Sequence, residues 1–483
     1  MTDGLEINET RYSELGIDNE KYRFDSEFYL KRFTSAYQKI KTINYTTIRD
    51  VMSCLTDFHS NGSYESIAAN FVLLDSPDYA YMVRTTDLET DNFSENIKYI
   101  TKHAYEYLAK SKLFGGELLI NKIGSPGRTY LMPHLNKPVS LGMNLFMLRT
   151  KKNIGTNEAV LYLFFNSHIG KAVIERKING TVPLTIDKEA IKSLYVPLFS
   201  DKLSDTLNLA LEKISLFKRK SLESYNDAKK LLDTYLNIKI NSDSTYSVKA
   251  LSNSLMQSGR LDAEYYQPKY DALFDSLQQF PVANLSGDGG LVSINKSIEP
   301  GSEAYQDEGI PFVRVSDVNK YGITEPSIKL SITIVPDIES LYPHKDTILL
   351  SKDGSIGIAY KVQEDMQVVT SGALLHLKIK DETKVLPDYL TLVLNSQIVQ
   401  LQAERDCNGA IIQHWKPSDV EKVLIPILDM DKQKEISDKV QESFRLRKEA
   451  QHLLDNAIKA VEMAIETDES TALAWLKTQQ IGE

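Results

Sequence analysis

The feature that most constrains this sequence is that it reads the same way twice. Arg23-Phe24-Asp25-Ser26-Glu27-Phe28-Tyr29 and Arg260-Leu261-Asp262-Ala263-Glu264-Tyr265-Tyr266 share the order Arg-apolar-Asp-small-Glu-aromatic-Tyr, 237 residues apart. Val83-Arg84-Thr85-Thr86-Asp87-Leu88 returns at an offset of 230 as Val313-Arg314-Val315-Ser316-Asp317-Val318. Lys122, Gly124, Gly127 and Gly142 return at the same offset as Lys352, Gly354, Gly357 and Gly372. Asn166-Ser167, Glu175-Arg176, Asn179-Gly180 and Pro197 return 229 residues later as Asn395-Ser396, Glu404-Arg405, Asn408-Gly409 and Pro426. An offset so nearly constant over more than 110 residues is not chance, and a unit of about 230 residues is too long for a solenoid repeat. The chain reads as two copies of one domain-sized module.

Each copy has the same internal order. A mixed globular part comes first, with apolar runs such as Gly116–Ile120 and Asp346–Leu350 that read as strands. The pairs Gly124/Gly127 and Gly354/Gly357 follow as tight turns. Helical patterns fall at 159–176 and 388–405, and short closing strands at Tyr195–Leu198 and Leu424–Ile427. Each copy then ends in a segment without Gly or Pro across about 35 residues, nearly twice the usual helix length, which suggests a coiled-coil element. Spacings of three and four place Leu203, Leu207, Ile214, Phe217 and Leu231 on one stripe, and Ile436, Val440, Leu454 and Val461 on the other. Ser221, Ser224 and Arg447 interrupt these stripes. The two helices are expected to pair with each other; packing against their own domains is the other reading. At 1.5 Å per residue each spans roughly 50 Å. The expected fold class is α+β: two tandem mixed α/β globular domains, each followed by a long helix. The expected boundaries are an N-terminal segment 1–22, a first module 23–198, a helix 199–238, a second module 239–430, a helix 431–468 and a tail 469–483.

Composition rules out several classes. Two cysteines, Cys54 and Cys407, cannot build a disulfide framework or a zinc site unaided, and they fit a reducing compartment. No apolar run reaches about 18 residues, so no membrane span is expected. The first residues lack the basic and apolar regions of a signal peptide. A net charge of −10 argues against nucleic acid when taken alone. The local balance differs: residues 98–192 hold fifteen Lys and Arg against six Asp and Glu, a net +9, whereas residues 341–422 hold nine against eleven, a net −2.

Catalytic and metal-binding signatures are missing. The eight histidines (59, 103, 134, 168, 344, 376, 414 and 452) are scattered, with no His-Glu-x-x-His and no Cys-x-x-Cys. No phosphate-binding Gly-x-x-x-x-Gly-Lys-Ser/Thr occurs, and Gly287-Asp288-Gly289-Gly290 reads as a turn. No Pro-Pro dipeptide exists, which removes the Asn/Asp-Pro-Pro-aromatic stretch of adenine and cytosine methyltransferases. A divergent nuclease using Asp365, Glu382 and Lys384 is a weak third possibility. No catalytic residue and no metal ligand is assigned.

Binding chemistry remains. In Lys122-Ile123-Gly124-Ser125-Pro126-Gly127-Arg128, cations flank a glycine turn whose backbone amides suit phosphate oxygens; Lys352-Asp353-Gly354-Ser355-Ile356-Gly357 is its twin. A hairpin turn with solvated charges is the alternative. Arg149, Lys151 and Lys152 form a second basic cluster. Arg84 and Arg314 are candidate base or phosphate contacts, or structural partners of Asp87 and Asp317. The loop from Gly409 to Lys416 carries Gln413, His414 and Lys416, whose amide, imidazole and ammonium can reach base edges or phosphates, around a Trp415 that can anchor a core. The candidate DNA contacts are thus Arg84, Lys122, Arg128, Arg149, Lys151, Lys152, Arg314, Lys352, Ser355, Gln413, His414 and Lys416.

The ordered, duplicated set resembles the specificity subunits of Type I restriction-modification systems over nearly the whole chain. The resemblance rests on the Arg-x-Asp-x-Glu openings, the Val-Arg-x-x-Asp strands, the Gly-x-x-Gly turns and the Asn-Gly…Pro closings. It implies a non-catalytic, cytoplasmic prokaryotic protein whose two target-recognition domains each read one half of a bipartite, asymmetric double-stranded DNA site. It implies long helices paired as an antiparallel coiled coil that sets the gap. It further implies two adenine-methyltransferase subunits and restriction subunits as partners, with S-adenosylmethionine, ATP and magnesium held by them and no cofactor in this chain. The competing reading from another class is a bivalent protein-interaction scaffold, favoured by the overall acidity.

Overall fold

The structure is a computed structural model that describes residues 8–19, 21–94, 96–152, 154–180, 182–238, 246–334, 337–407 and 413–479. The chain divides into two compact units: Met1–Lys218 with Lys448–Glu483, and Arg219–Arg447. The division runs through both long helices.

Unit 1 contains β1 (Tyr45–Thr47), β2 (Met52–Asp57), β3 (Ala80–Val83), β4 (Lys98–Ile100), β5 (Lys112–Leu113), β6 (Leu118–Asn121), β7 (Thr129–Leu131), β8 (Val139–Leu141), β9 (Leu145–Thr150) and β10 (Tyr195–Pro197). They form two four-stranded sheets, in the orders β2-β9-β6-β7 and β4-β3-β8-β5, and the pair β1-β10. Strands β6 and β9 are unbroken apolar runs because their sheet is buried on both faces. Leu118, Ile120, Phe146 and Leu148 face one core, which includes the helices Glu158–Asn166 and His168–Glu175. The alternate residues Leu119, Leu145 and Met147 face a second core shared with Tyr81, Val83 and Leu141 of the other sheet. Asn157 and Ser167 cap those two helices through their side-chain oxygens.

Unit 2 contains β11 (Val282–Asn284), β12 (Val292–Lys296), β13 (Tyr305–Gln306), β14 (Ile310–Val313), β15 (Val318–Asn319), β16 (Gly322–Ile323), β17 (Lys329–Leu330), β18 (Ile348–Ser351), β19 (Ala359–Lys361), β20 (Val369–Thr370), β21 (Leu374–Ile379) and β22 (Leu424–Pro426). The sheet orders are β12-β21-β18-β19, β13-β17-β14-β20, β15-β16 and β11-β22. Ile348, Leu350, Leu375 and Leu377 face the core with the helices Pro387–Leu394 and Gln397–Asp406, and Leu349 and Leu374 face a second cluster. The predicted strands and helix pairs all form, with ends shifted by a few residues.

The long helices span Asp201–Leu236, 36 residues, and Met430–Glu466, 37 residues. In unit 1, Leu203, Leu207 and Ile214 lie in one core with Val461, with Phe217 and Leu454 packed against it. In unit 2, Ile436 and Val440 join the core that holds Tyr225, Ala228 and Leu232, with Leu231 at its edge. The polar interruptions of the apolar stripes are accounted for. Ser221 and Ser443 hydrogen-bond each other at 2.9 Å, Ser224 Oγ donates to the Lys439 carbonyl at 2.8 Å, and the Arg447 guanidinium lies 3.9 Å from the Tyr321 ring centroid. A further helix, Glu469–Thr478, buries Ala472 and Leu476 in the unit 1 core. Its Glu469 carboxylate accepts from Ser200 N at 3.1 Å, just before the first long helix, where negative charge is favoured.

Candidate nucleic-acid interface

In both units the candidate chemistry sits on the turn after the central strand of the doubly buried sheet. In unit 1 this turn joins β6 to β7. Gly127 N donates to Asn121 O at 2.9 Å, and Gly124 and Gly127 have φ of 88° and 84°. In unit 2 Gly357 N donates to Ser351 O at 2.9 Å, and Gly354 and Gly357 have φ of 72° and 76°. No atom lies within 4 Å of where a Cβ would stand on Gly124 or Gly354. Glycine is needed there for backbone conformation alone, and each turn tip is open.

A second segment closes each turn. Ile186 N donates to Lys122 O at 3.2 Å, and Trp415 N donates to Lys352 O at 2.8 Å. In unit 2 this brings together two stretches separated in sequence: the turn holding Lys352 and Ser355, and the extended segment holding Gln413, His414 and Lys416. Gly354 N donates to Gln413 O at 3.0 Å, and His414 Nδ1 lies 2.8 Å from Asp353 Oδ1. Trp415 is 1% exposed and anchors the segment in the core, while Ser355, Gln413, His414 and Lys416 are exposed. The Asn408-Gly409 match and the loop through Ile412 lie outside the described residues.

The lysines at these turns are held differently. Lys122 Nζ bonds Asp57 Oδ2 at 2.8 Å, and Lys188 Nζ bonds Asp57 Oδ1 at 2.8 Å. Burial is the largest influence on the Asp57 carboxyl and pushes its pKa up. The hydrogen bonds from Lys122, Lys188 and Ser60 together outweigh it and hold the carboxyl well below the usual range. Two cations thus share one carboxylate beside an open cleft of about 560 Å³, which Lys21 also lines. In unit 2 Lys352 pairs with its neighbour Asp353, and the same carboxylate takes His414.

The other predicted cations are mostly engaged. Arg84 Nη2 bonds Asp87 Oδ1 at 2.6 Å and Asn96 O at 2.8 Å, and Arg314 Nε lies 3.4 Å from Asp317 Oδ2, so both form the structural Arg–Asp pairs. Arg128 bonds Glu89 at 3.0 Å, Arg149 bonds Glu117 at 2.8 Å, and Lys151 donates to the Asp50 carbonyl at 2.6 Å. Lys152 is exposed. Arg149, Lys151 and Lys152 therefore do not act as one free cluster: Arg149 is held by Glu117 and Lys151 by the Asp50 carbonyl. Sequence reasoning missed Asp57 and Lys188, which become neighbours of Lys122 only through sheet pairing. It also passed over Lys21, Arg49 and Lys177. Of the nuclease trio, Lys384 faces Asp381 at 3.8 Å and Asp365 accepts from Lys345 N at 2.8 Å. Among the described residues no group of three His, Cys, Asp or Glu could hold a metal ion, and no helix is long and apolar enough to cross a membrane.

Both turns present exposed polar groups on doubly buried sheets: a serine hydroxyl at each, with the amide, imidazole and ammonium of Gln413, His414 and Lys416 beside the unit 2 turn. Residues 289–459 match the family model described as the Type I restriction modification DNA specificity domain. No curated protein matches the chain. Among solved structures, the Type I restriction-modification S subunit from M. genitalium is 15% identical, with 87% of this chain and 96% of that chain covered, at a TM-score of 0.37. The HsdS subunit from Thermoanaerobacter tengcongensis is 14% identical, with 88% and 97% covered, at 0.27. A structure titled for complex assembly and conformational transition of the type I R-M system is 14% identical, with 86% and 97% covered, at 0.27.

Proposed function

We propose that this chain is the non-catalytic DNA sequence-specificity subunit of a Type I restriction-modification complex, with each module reading one half of a bipartite, asymmetric site. The observation that carries this reading is the family match over 289–459, together with its echo in the first half. There the same four-strand order, β2-β9-β6-β7 against β12-β21-β18-β19, carries the same glycine turn. Two divergent copies would read different bases, hence the asymmetry. Phosphate contacts would position the duplex, and Gln413 and His414 would meet base edges.

The long helices are proposed to pair antiparallel, fix the gap between half-sites and dock two adenine-methyltransferase subunits. The partners Ser221–Ser443 and Ser224–Lys439 support this pairing, because the number rises on one helix as it falls on the other. A span of roughly 50 Å suffices for reading centres one helical turn of DNA apart, about 34–36 Å. S-adenosylmethionine, ATP and magnesium are assigned to the partner subunits. Methylome sequencing of the source genome with and without the gene tests the whole reading. Loss of methyladenine at one bipartite motif is the expected result, and an unchanged methylome while the protein is expressed would overturn it. The second reading, a protein-binding scaffold, is favoured by one observation: most candidate cations already face a carboxylate or carbonyl.

A further inference from the structure

Unit 1 holds a second cationic site, apart from the glycine turn. A pocket of about 220 Å³ lies among the N-terminal segment, the helix Ile48–Val51 and the segment from Lys177 to Ser193. Four of its ten lining residues, Lys21, Arg23, Arg49 and Lys177, are cationic, and one, Glu189, is acidic. Arg23 is fixed from behind: Asp25 takes Nε at 2.7 Å and Ile178 O takes Nη1 at 2.8 Å. Lys177 is 5% exposed and donates to the Asp18 carbonyl at 2.9 Å. Lys21 and Arg49 close the rim through exposed pairs with Asp187 and Glu189. Exposed pairs of this kind hold weakly, so a more highly charged oxyanion can replace the rim carboxylates at little cost.

The charges are not needed by the fold. Ile48 N donates to Leu194 O at 3.0 Å, and Leu285 N donates to Val423 O at 2.8 Å; Arg23 Nη1 reaches Arg176 O, and Arg260 Nη1 reaches Arg405 O, both at 3.3 Å. With those contacts as register, Ser258, Ser286 and Asp406 stand in unit 2 where Lys21, Arg49 and Lys177 stand in unit 1, and Asp419 stands for Ala190. Only the arginine is common. The same backbone therefore forms with two serines and a reversed charge in place of three cations.

We propose that this pocket is a phosphate-binding site present in unit 1 and absent from unit 2. Arg49 on the rim supplies a planar donor fork suited to phosphate oxygens and Lys21 a point charge, while Arg23, whose own fork is held by Asp25, and Lys177 add positive charge from behind. The phosphate belongs either to a DNA backbone or to a free phosphorylated small molecule. The backbone alternative rests on the DNA-reading proposal above; the free-phosphate alternative does not.

The test uses the full chain, the double variant Lys21→Gln/Arg49→Gln, and a charge-matched control in unit 2, Lys249→Gln/Lys269→Gln. All four side chains are at least partly exposed, so folding is preserved. Calorimetric titration with inorganic phosphate, against chloride at equal ionic strength, is expected to show saturable binding by the wild type and control. Binding by the double variant should be about tenfold weaker for each charge-assisted bond removed. In a second arm, duplex DNA is titrated at several salt concentrations. A fall of about one to two in the salt slope of the double variant alone identifies a backbone phosphate; an unchanged slope with phosphate binding lost identifies a free phosphorylated ligand. A double variant that matches the control in both arms overturns the proposal. Failure of the wild type to bind any duplex would instead overturn the DNA-reading proposal and leave the phosphate arm standing.

Discussion

The two glycine turns share a backbone and differ in how they treat one lysine. Lys122 reaches across to Asp57, a buried carboxylate that also takes Lys188. Lys352 is paired with the adjacent Asp353, which takes His414 as well. Unit 1 sets two lysines on one carboxylate at its turn, whereas unit 2 sets one lysine against two, Asp353 and, at 4.0 Å, Glu299. This matches the +9 of residues 98–192 and the −2 of residues 341–422. The difference teaches that the paired sheets and the turn are a frame, and that the electrostatics are set by a few side chains placed on it. On this reading unit 1 supplies much of the phosphate attraction, and unit 2 depends more on hydrogen-bonding groups such as Gln413.

The sharpest way to break the comparison is to remove each carboxylate. Asp57→Ala leaves Lys122 and Lys188 partly buried together and is expected to cost about 3–5 kcal/mol, read by denaturant unfolding. Asp353→Ala removes a less buried carboxylate that holds one lysine rather than two, and should cost less, about 1–3 kcal/mol. Equal losses would show that the two turns are held alike. Because the Asp57 carboxyl is held below its ordinary value, its contribution is present above about pH 3.8 and is lost as pH falls below it.

The next effect separates the sheets. His376 on β21 stands where β9 has Met147; its ring bonds Thr370 Oγ1 at 2.7 Å, and burial pushes its pKa down from 6.5 to about 4. The unfolded chain then binds the proton first, so stability falls as pH drops from 6.5 toward 4 and levels off below. The loss is expected to be about 2–3 kcal/mol. His376→Met should flatten that part of the pH profile, and a profile unchanged by the substitution would break the assignment.

Two smaller effects divide reading from attraction. Gln413→Ala should relax discrimination at one base pair of one half-site by about 1–3 kcal/mol, seen by binding to single-substituted duplexes. Lys152→Gln should weaken all duplexes alike and lower the salt slope by about one. If Gln413→Ala instead weakened every sequence equally, Gln413 would not be reading a base and the proposed division between the units would fail.

Much of the frame was legible in the sequence because it follows from local pattern. Apolar runs located β6 and β18, and the short closing segments located β10 and β22. The pairs Gly124/Gly127 and Gly354/Gly357 located the turns, and spacings of three and four located both long helices. The stripes Leu203, Leu207, Ile214 and Ile436, Val440, Val461 are buried as their spacing implies. The candidate site was legible in part. Trp415 as an anchor and Arg84–Asp87 as a pair follow from short-range chemistry, and both appear.

By itself the sequence determined the repeat, the element order and which positions are apolar, since each depends on residues near one another in the chain. Only the tertiary structure decided which charges meet. Lys122, Asp57 and Lys188 come from three separate segments, as do Lys21, Arg49 and Lys177. Their pairing is set by sheet register and strand order. Whether a lysine is spent on a carboxylate or left for a ligand depends on distances of a few ångströms, because that is the range over which a partly buried ion pair prevails over solvent.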